Sequence, residues 1–241
     1  MKGIRTQKTG SAVHDKNGLR PAFLENREYY RHPKDGEKEH YVKYVAEALL
    51  PTRYGDFKIV GFYSSREKKE HVAVIKGDVD GKENCPVRVH SQCVTGDVFH
   101  SLKCDCRDQL EASLEFIGSR PYGAVIYLKQ EGRGIGLLNK IKAYHLQDLG
   151  LDTVEANEYL GFPSDMRDYV VAAKIISMLR IRSVVLLTNN PEKLRDLEEQ
   201  GIRVAHRIPI IAKPNAHNSS YLKTKTAKMG HLLEAVPLHE V

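Results

Sequence analysis

The 241-residue sequence contains no tryptophan, only four methionines and only four cysteines. Without tryptophan, and with few aromatic side chains between its basic residues, it lacks the stacking platform typical of single-strand nucleic-acid binders. Four cysteines in a chain of this size do not form a disulfide scaffold. No apolar run approaches the roughly 20 residues that a membrane-spanning helix needs. These absences favour an ordinary globular protein that does not span a membrane, and they give little support to binding of single-stranded nucleic acid.

The chain carries an excess of positive charge, +6 at pH 7, with a pI of about 9.0. This charge favours an anionic partner, and nucleic acid, a nucleotide and a phosphorylated metabolite all qualify. The first residues, MKGIRTQKTGSAVHDKN, contain no apolar segment of the kind found in secretory signals. We therefore expect a cytoplasmic location, where cysteines stay reduced and are available to bind a metal.

Sequence patterns divide the chain into three parts. Residues 1–40 mix charged residues and glycine without a clear period, which predicts a flexible N-terminal arm. Residues 41–235 form the expected folded body, and residues 236–241 form a C-terminal tail. Early in the body, alternating patterns such as HVAVIKGDV and PVRVHSQC predict antiparallel strands that carry the metal site. From residue 107 onward strands and helices alternate, so we expect a mixed α/β fold in one compact body.

Three cysteines lie within fourteen residues of one another, in the segment RVHSQCVTGDVFHSLKCDC. Cys93, Cys104 and Cys106 have the spacing C-x10-C-x-C and supply three thiolates suited to zinc. We expect Cys104 and Cys106 to lie on an extended strand, where residues two apart face the same side. Structural zinc sites usually have four protein ligands, whereas catalytic sites keep one position for water. The spacing therefore favours a catalytic zinc site with one open position.

A closed zinc knuckle is the alternative interpretation of this cluster. His90 or His100 could supply the fourth ligand, because histidine is a common zinc ligand. Cys85 lies apart from the cluster, and we expect it to be a small buried hydrophobic residue.

A glycine-rich segment, QEGRGIG at residues 130–136, follows the apolar stretch GAVIYLKQ and precedes the helical pattern LLNKIKAYHLQDLG. Backbone N–H groups and a helix N-terminus at such a position can bind phosphate. Arg133 would add a charge-assisted contact. The glycine spacing is not that of the Rossmann fingerprint, and a tight turn without a ligand explains the segment equally well.

Two further segments place a cation at an expected helix start. In SDMRD, residues 164–168, Ser164 is predicted to cap a helix whose first turn contains Arg167. In TNNPEK, residues 188–193, Asn190 is the predicted N-cap, Pro191 the first helical residue, and Lys193 lies in the first turn. Cations oppose the helix dipole at this end, so both segments indicate a nearby anion.

Taken together, these segments resemble a known family. RVHSQCVTGD, SLKCDC, QEGRGIGLLNKIKAY, DTVEAN, TNNP and KTKTAKMGHLL are similar in order and separation to GTP cyclohydrolase II, over residues 44–233. The resemblance implies hydrolysis of GTP to 2,5-diamino-6-(5-phospho-D-ribosylamino)pyrimidin-4(3H)-one, formate and diphosphate, the first step of riboflavin biosynthesis. It also implies a homodimer with one Zn²⁺ per subunit, and Mg²⁺ with the triphosphate.

The resemblance further implies which residues act. Cys93, Cys104 and Cys106 match the zinc ligands of the family, and Asp165, Arg167 and Tyr144 match its catalytic positions. The implied GTP-binding residues are Arg88, Val89, His90, Ser91, Gln92, Gln109, Glu131, Gly132, Arg133, Thr153, Thr188 and Lys193.

Several of these residues have an implied role. Zinc-activated water would attack C8 of guanine, and the Glu131 carboxylate could accept from N1–H and the 2-amino group. Arg133 and Lys193 suit the triphosphate. Arg167 matches a family nucleophile for the α-phosphorus, with Asp165 as proton acceptor. Because a guanidinium has no free lone pair, we expect Arg167 instead to stabilise phosphate charge while Asp165 orients it or the attacking water.

The sequence departs from the family pattern beside the metal ligands. Gln92 stands where the family usually has glutamate, and a glutamine cannot act as a base. Arg107 follows the last ligand, where glycine is common. One alternative is therefore a sister enzyme that opens the GTP ring but retains the formyl group or serves another pathway. A more distant alternative is a non-catalytic, zinc-stabilised nucleotide or nucleic-acid binder, whose binding would be sensitive to salt.

Overall fold

A computed structural model describes residues 40–212, 215–218, 221 and 230. The predicted N-terminal arm, apart from His40, and the predicted C-terminal tail lie outside the described residues. All of the described residues belong to one compact unit. Among them, no helix is both long enough and apolar enough to cross a membrane.

Seven strands and six α-helices occur in the described part of the chain. The strands are β1 (Val42–Thr52), β2 (Gly55–Ser64), β3 (Lys69–Lys76), β4 (Cys85–Ser91), β5 (Gly123–Leu128), β6 (Val184–Leu187) and β7 (Val204–Ile208). The helices are α1 (Val94–Asp97), α2 (Cys106–Gly118), α3 (Leu137–Asp148), α4 (Thr153–Tyr159), α5 (Val170–Met178) and α6 (Pro191–Glu199). A 3₁₀ turn (Glu131–Gly134) connects β5 to α3.

The strands form one mixed sheet in the order β1-β2-β3-β5-β4-β6-β7. Strands β1, β2, β3 and β5 pair antiparallel, whereas β4 runs parallel to both β5 and β6, and β6 runs parallel to β7. The carboxyl ends of β4, β5 and β6 therefore lie at the same edge, where open α/β sheets commonly bind ligands.

Apolar side chains cover both faces of the sheet. On one face Val87, Val89 and Leu186 pack in the same core cluster as Ile175 of α5 and Leu197 of α6. The other face contributes Val125, Val185 and Leu187 to a second cluster with Ile117 of α2. Strand β4 is buried almost throughout, which fits a central strand with helices on both faces.

The mixed α/β fold class is confirmed, but two details of the predicted metal region are wrong. Strand β4 lies in the parallel half of the sheet and not in an antiparallel meander. Cys104 and Cys106 do not share a strand, because Cys104 lies in a loop and Cys106 begins α2. The Cys85 prediction is confirmed: this residue is fully buried in the apolar core, and burial raises the pKa of its thiol to about 12.

The two predicted helix starts have different outcomes. Asn190 caps α6, accepting a hydrogen bond from the Glu192 N–H at 3.0 Å, and Pro191 is the first helical residue, as predicted. The prediction for SDMRD is wrong, because α5 begins at Val170 and Ser164 does not cap it. Arg167 therefore precedes the helix, and its charge does not oppose a helix dipole.

Candidate active site

A cavity opens at the carboxyl ends of β4, β5 and β6, and most of the predicted site residues line it. Those lining it are Arg88, His90, Ser91, Gln92, Cys93, Cys104, Cys106, Gln109, Gly132, Arg133, Tyr144, Thr153, Arg167, Thr188 and Lys193. Predicted residues that are widely separated in the sequence therefore meet at one place.

The three remaining predicted residues, Val89, Glu131 and Asp165, are not among the lining residues. Each of them holds a side chain that does line the cavity. The Val89 carbonyl accepts from Lys193 Nζ at 2.7 Å, and Glu131 Oε1 accepts from Lys140 Nζ at 2.8 Å. Asp165 Oδ1 accepts from Arg167 Nε at 2.9 Å. These three residues therefore position the charged groups of the cavity from behind.

The three cysteines converge as the zinc prediction requires. Their sulfur atoms all lie within 4.8 Å of one another, and Cys93 Sγ is 3.7 Å from Cys104 Sγ. Two sulfurs that each lie about 2.3 Å from a tetrahedral zinc are separated by about 3.8 Å. The sulfur spacing therefore fits a zinc ion.

Local backbone structure brings the cysteines together. Cys93 is the N-cap of α1, and its sulfur accepts a hydrogen bond from the Gly96 N–H at 3.4 Å. A Cβ atom at Gly96 would lie only 2.9 Å from Cys104 Sγ and 3.2 Å from Cys93 Sγ. The turn can approach the sulfurs this closely only because residue 96 has no side chain.

The donor chemistry also fits a cation. Hydrogen bonds from the Cys104 and Cys106 thiols lower the pKa of Cys93. The hydrogen bond from Cys106 lowers the pKa of Cys104, but the bond to Cys93 and burial outweigh it and raise this pKa to about 11. Hydrogen bonds with Cys104 and then Cys93, followed by burial, raise the pKa of Cys106 well above its usual value. Three thiolates at this spacing therefore need a bound cation to ionise together.

Neither histidine of the closed-knuckle alternative joins the cluster. Within the described residues, the group of candidate ligands around these sulfurs contains the three cysteines alone. His100 is exposed, and His90 Nε2 lies 3.1 Å from Asp97 Oδ1. Asp97 Oδ2 also accepts from the Cys93 N–H at 2.9 Å and the Tyr127 hydroxyl at 2.7 Å. Asp97 thus holds His90 beside the cysteine turn without making it a ligand.

A buried lysine connects the cysteine turn to the glycine-rich segment. Lys140 Nζ lies 3.0 Å from Cys93 Sγ and 2.8 Å from Glu131 Oε1. Glu131 Oε2 in turn accepts from the Val94 N–H at 2.6 Å, and Oε1 accepts from the Gly132 N–H at 3.1 Å. The carboxylate therefore stabilises both the lysine and the turn that contains the first cysteine.

Arg167 and Asp165 form a half-buried, multiply hydrogen-bonded ion pair on the loop before α5. Arg167 Nε lies 2.9 Å and 3.1 Å from the two Asp165 oxygens, and Nη2 also pairs with the carboxylate. Burial alone would raise the pKa of Asp165, but hydrogen bonds from Arg167 and its charge lower it. Burial likewise opposes the charge of Arg167, yet Tyr169 and Asp165 raise its pKa. Both groups are therefore charged at neutral pH.

Two other arginines present buried donors without a partner in the described part of the chain. Arg88 donates to the Leu187 carbonyl at 2.9 Å and to Gln109 Oε1 at 2.7 Å, but its Nε is unsatisfied. Burial lowers the pKa of Arg88 to about 10, which still leaves it charged at neutral pH. Arg133 Nη2 is also unsatisfied, and Arg133 has a positive φ of 57°. Unsatisfied buried donors and a strained backbone are both typical of ligand-binding sites.

Comparison with known proteins identifies the family. A family model described as GTP cyclohydrolase II matches residues 43–209. The chain belongs to the GTP cyclohydrolase II family. The resemblance found in the motifs is thereby confirmed, and so is the enzyme class, because curated relatives carry the name of this hydrolase.

Two relatives named GTP cyclohydrolase-2 match over nearly their whole length. The protein from Picrophilus torridus is 55% identical over 79% of this chain and 99% of its own. The protein from Klebsiella pneumoniae is 52% identical over 81% of this chain and 98% of its own. The riboflavin biosynthesis protein RibBA of Endomicrobium trichonymphae is 52% identical over 82% of this chain, which spans only 49% of that longer relative.

One solved structure is a more distant match. It is RibBX, a two domain 3,4-dihydroxy-2-butanone 4-phosphate synthase from A. baumannii, with a TM-score of 0.41 and 18% identity. The match covers 70% of this chain and 41% of that chain, and no conclusion about this GTP cyclohydrolase II family member depends on it.

Several residues at the cavity of this family member were missed by the sequence patterns. Lys140 and Gln130 line the cavity, and Asp97 supports the cysteine turn. A signal for Lys140 was present, since it precedes Tyr144 by four residues and so shares its helix face. For Gln130 and Asp97 no local periodicity exists, because both lie next to irregular turns.

Proposed function

We propose that this protein hydrolyses GTP to 2,5-diamino-6-(5-phospho-D-ribosylamino)pyrimidin-4(3H)-one, formate and diphosphate, the first step of riboflavin biosynthesis. The observation that carries the proposal is the meeting of three thiols and several buried cationic side chains in one cavity of a GTP cyclohydrolase II family member. The thiols suit a metal that acts on the ring, and the cations suit a triphosphate.

Cys93, Cys104 and Cys106 would hold one zinc ion per subunit. When bound, zinc supplies the Lewis acidity that activates water for attack on C8 of guanine. The chain keeps this region compact through Gly96 and through the Lys140 ammonium beside Cys93 Sγ. The proposal is supported by the sulfur spacing and by the mutual effect of the thiols on their pKa values.

The remaining predicted residues would bind and orient GTP. Arg88 and Arg133 have unsatisfied buried N–H groups, which suit phosphate oxygens, and Lys193 offers a cation held by the Val89 carbonyl. Reading of guanine by Glu131 stays a prediction, since its carboxylate already accepts from Val94, Gly132 and Lys140. The further proposed contacts are His90, Ser91, Gln92, Gln109, Gly132, Thr153 and Thr188.

Arg167 would stabilise charge that develops on the α-phosphate, with Asp165 holding its guanidinium in place. This assignment is supported by the ion pair, which keeps Arg167 protonated and fixes its orientation. Tyr144 would contact the reacting ring. Its hydroxyl lies 3.3 Å from Thr95 Oγ1, and Thr95 Oγ1 lies 3.6 Å from Cys93 Sγ, so the three groups are connected.

Four further features expected from the sequence or from the family resemblance stay predictions. They are Mg²⁺ bound with the triphosphate, a homodimer, a cytoplasmic location, and no use of nucleic acid or membrane as partner. Omission of Mg²⁺ from the assay and sedimentation of the purified protein test the first two.

The deciding experiment is incubation of the purified, zinc-loaded protein with GTP and Mg²⁺. We expect formate and diphosphate in equal amounts, together with a pyrimidine product of the expected mass. If neither formate nor diphosphate accumulates, the proposed function is wrong. Metal analysis of the same sample should give one zinc per chain.

Gln92 supports a second candidate, the sister activity that retains the formyl group. Gln92 lines the cavity immediately before Cys93, where the family usually has a carboxylate. An amide cannot accept a proton as a base. Gln92 would therefore slow the second hydrolysis, which releases formate. The same product analysis separates the candidates: a mass that retains the formyl carbon indicates the sister activity. Replacing Gln92 with Glu should then restore formate release.

A further inference from the structure

Gln130 is a cavity-lining residue with a side-chain environment that points to a ligand. It precedes the 3₁₀ turn after β5, is only 3% exposed, and lines the same cavity as the cysteines and arginines. Its Nε2 donates to Glu67 Oε1 at 3.0 Å and to the Asp168 carbonyl at 3.0 Å. Both amide hydrogens are therefore used within the protein.

The chemistry of these two partners determines which way the amide faces. A carbonyl oxygen only accepts, and an ionised carboxylate only accepts. Burial would raise the pKa of Glu67, but hydrogen bonds from His71 and Gln130 lower it overall, so Glu67 is ionised at neutral pH. Reversing the Gln130 amide would place its oxygen against two other acceptors, so only one orientation of the amide is compatible with the site.

A buried histidine lies beside Glu67. His71 Nδ1 lies 3.2 Å from the Lys129 N–H, from which it accepts a hydrogen bond. Its Nε2 lies 2.7 Å from Glu67 Oε2, and His71 is 1% exposed. The carboxylate that accepts from Gln130 therefore lies against a buried side chain of β3.

The amide oxygen of Gln130 has no partner in this arrangement. Oε1 is buried and makes no hydrogen bond within the described part of the chain. Buried acceptors of this kind are rare, because an unmade hydrogen bond is costly. An unpartnered acceptor on a residue that lines the cavity suits a ligand that donates to it.

We propose that Gln130 Oε1 accepts a hydrogen bond from a ribose hydroxyl of the nucleotide and so contributes to substrate specificity. The inference rests on the proposed function. Phosphate oxygens are acceptors, which leaves the base and the sugar as donors. The sugar is favoured because Asp168, which holds the amide, directly follows Arg167, the residue assigned to the α-phosphate. In GTP the α-phosphate is attached to the ribose.

The test compares nucleotides that lack one donor each, in the wild-type protein and in Gln130→Met. Methionine keeps the length of the side chain and removes the acceptor. The measurement is kcat/KM for GTP, 2′-deoxyGTP, 3′-deoxyGTP and ITP, which lacks the 2-amino group. We expect wild type to lose about tenfold with one of the two deoxynucleotides, the usual effect of one hydrogen bond. Gln130→Met should lose about tenfold with GTP and discriminate between GTP and that deoxynucleotide less than about threefold.

A matched substitution provides the control. Gln147 lines the same cavity from α3, and any loss in Gln147→Met should be the same for GTP and both deoxynucleotides. Glu67→Gln provides a second variant, which keeps the shape but removes the charge that orients the amide. Glu67→Gln should only partly reduce the discrimination between GTP and the affected deoxynucleotide. Thermal melting without nucleotide shows whether each variant is folded.

Two results would overturn the inference while leaving the proposed function intact. One is an equal loss in Gln130→Met for all four nucleotides, which would indicate a purely structural role. The other is that Gln130→Met no longer discriminates between GTP and ITP but still discriminates between GTP and the deoxynucleotides as wild type does. That result would assign the contact to the base. If wild type fails to hydrolyse GTP, the proposed function itself is wrong. These results are therefore distinguishable.

Discussion

The antiparallel and parallel halves of the sheet differ in exposure and in what they contribute to the cavity. Strand β1 in the antiparallel half is largely solvent-facing, and its Leu49 is 84% exposed. Strand β4 in the parallel half is buried almost throughout. Among the residues that the structure describes, those that line the cavity all come from Arg88 onward, and none comes from β1, β2 or β3.

Strand direction explains this difference. Parallel strands end at the same edge of a sheet, so the turns after β4, β5 and β6 converge there, whereas antiparallel neighbours end at opposite edges. The antiparallel half contributes indirectly, since Glu67, which lies beside His71 of β3, accepts a hydrogen bond from Gln130. We therefore expect substitutions in the parallel half to affect chemistry and those in the antiparallel half to affect stability.

The largest expected effect is on the cysteine cluster. Cys104→Ser removes one of the three sulfurs proposed to bind zinc, and we expect activity to fall at least about 10³-fold, because metal catalysis contributes several kcal/mol. Metal analysis should show loss of zinc. The matched change Cys85→Ser, in the apolar core, should keep zinc and activity while lowering the free energy of unfolding by about 1–3 kcal/mol. Equal zinc loss in both variants would contradict the assignment of Cys104 to the metal site and of Cys85 to the core.

In the antiparallel half the largest effect should come from Phe62. Its side chain is 2% exposed and packs edge to face against Tyr44, with ring centroids 6.1 Å apart. Phe62→Ala should lower the free energy of unfolding by about 3–5 kcal/mol, measured by urea denaturation. The folded fraction should retain its zinc and its KM for GTP, and a changed KM would show that the two halves are coupled.

Removal of the Arg167 charge should mainly affect the rate. Arg167→Met should lower kcat by about 10²–10³-fold, the usual effect of losing one group that stabilises transition-state charge. Arg167→Lys keeps the charge and should recover part of the rate, although lysine cannot reproduce the paired contact with Asp165. Unchanged zinc content in both variants would separate this effect from that of the cysteines. A rise in KM with an unchanged kcat would instead assign Arg167 to substrate binding.

The smallest expected effect is at the cap of α6. Asn190→Ala removes the bond to the Glu192 N–H and should lower the free energy of unfolding by about 1 kcal/mol. Because Lys193 lies in the first turn of this helix, KM for GTP should rise as well. Thr52→Ala removes a comparable local bond, which Thr52 Oγ1 accepts from the Tyr54 N–H in the turn between β1 and β2, away from the residues that line the cavity. A similar stability loss without the same rise in KM would support the special role of the α6 start.

Local signals in the sequence predicted the parts of the site that depend on neighbouring residues. The three cysteines, the glycine-rich turn and the Asn190 cap were all recognised, because spacing and capping chemistry act over a few residues. SDMRD was misread because its acidic residues suit helix capping equally well, whereas Asp165 instead pairs with Arg167. The strand predicted for Cys104 and Cys106 failed because α2 begins at Cys106, a start that period-2 spacing does not reveal.

The amino-acid sequence by itself determined which groups could do the chemistry: three thiols, a set of cations and the glycine turn between them. Only the tertiary structure decided which of these groups face the cavity and which hold them from behind. The contact between Gln130 and Glu67 joins residues 63 positions apart, and that between Lys193 and Val89 joins residues 104 apart. Such contacts depend on the order and direction of the strands, which no short segment of sequence specifies.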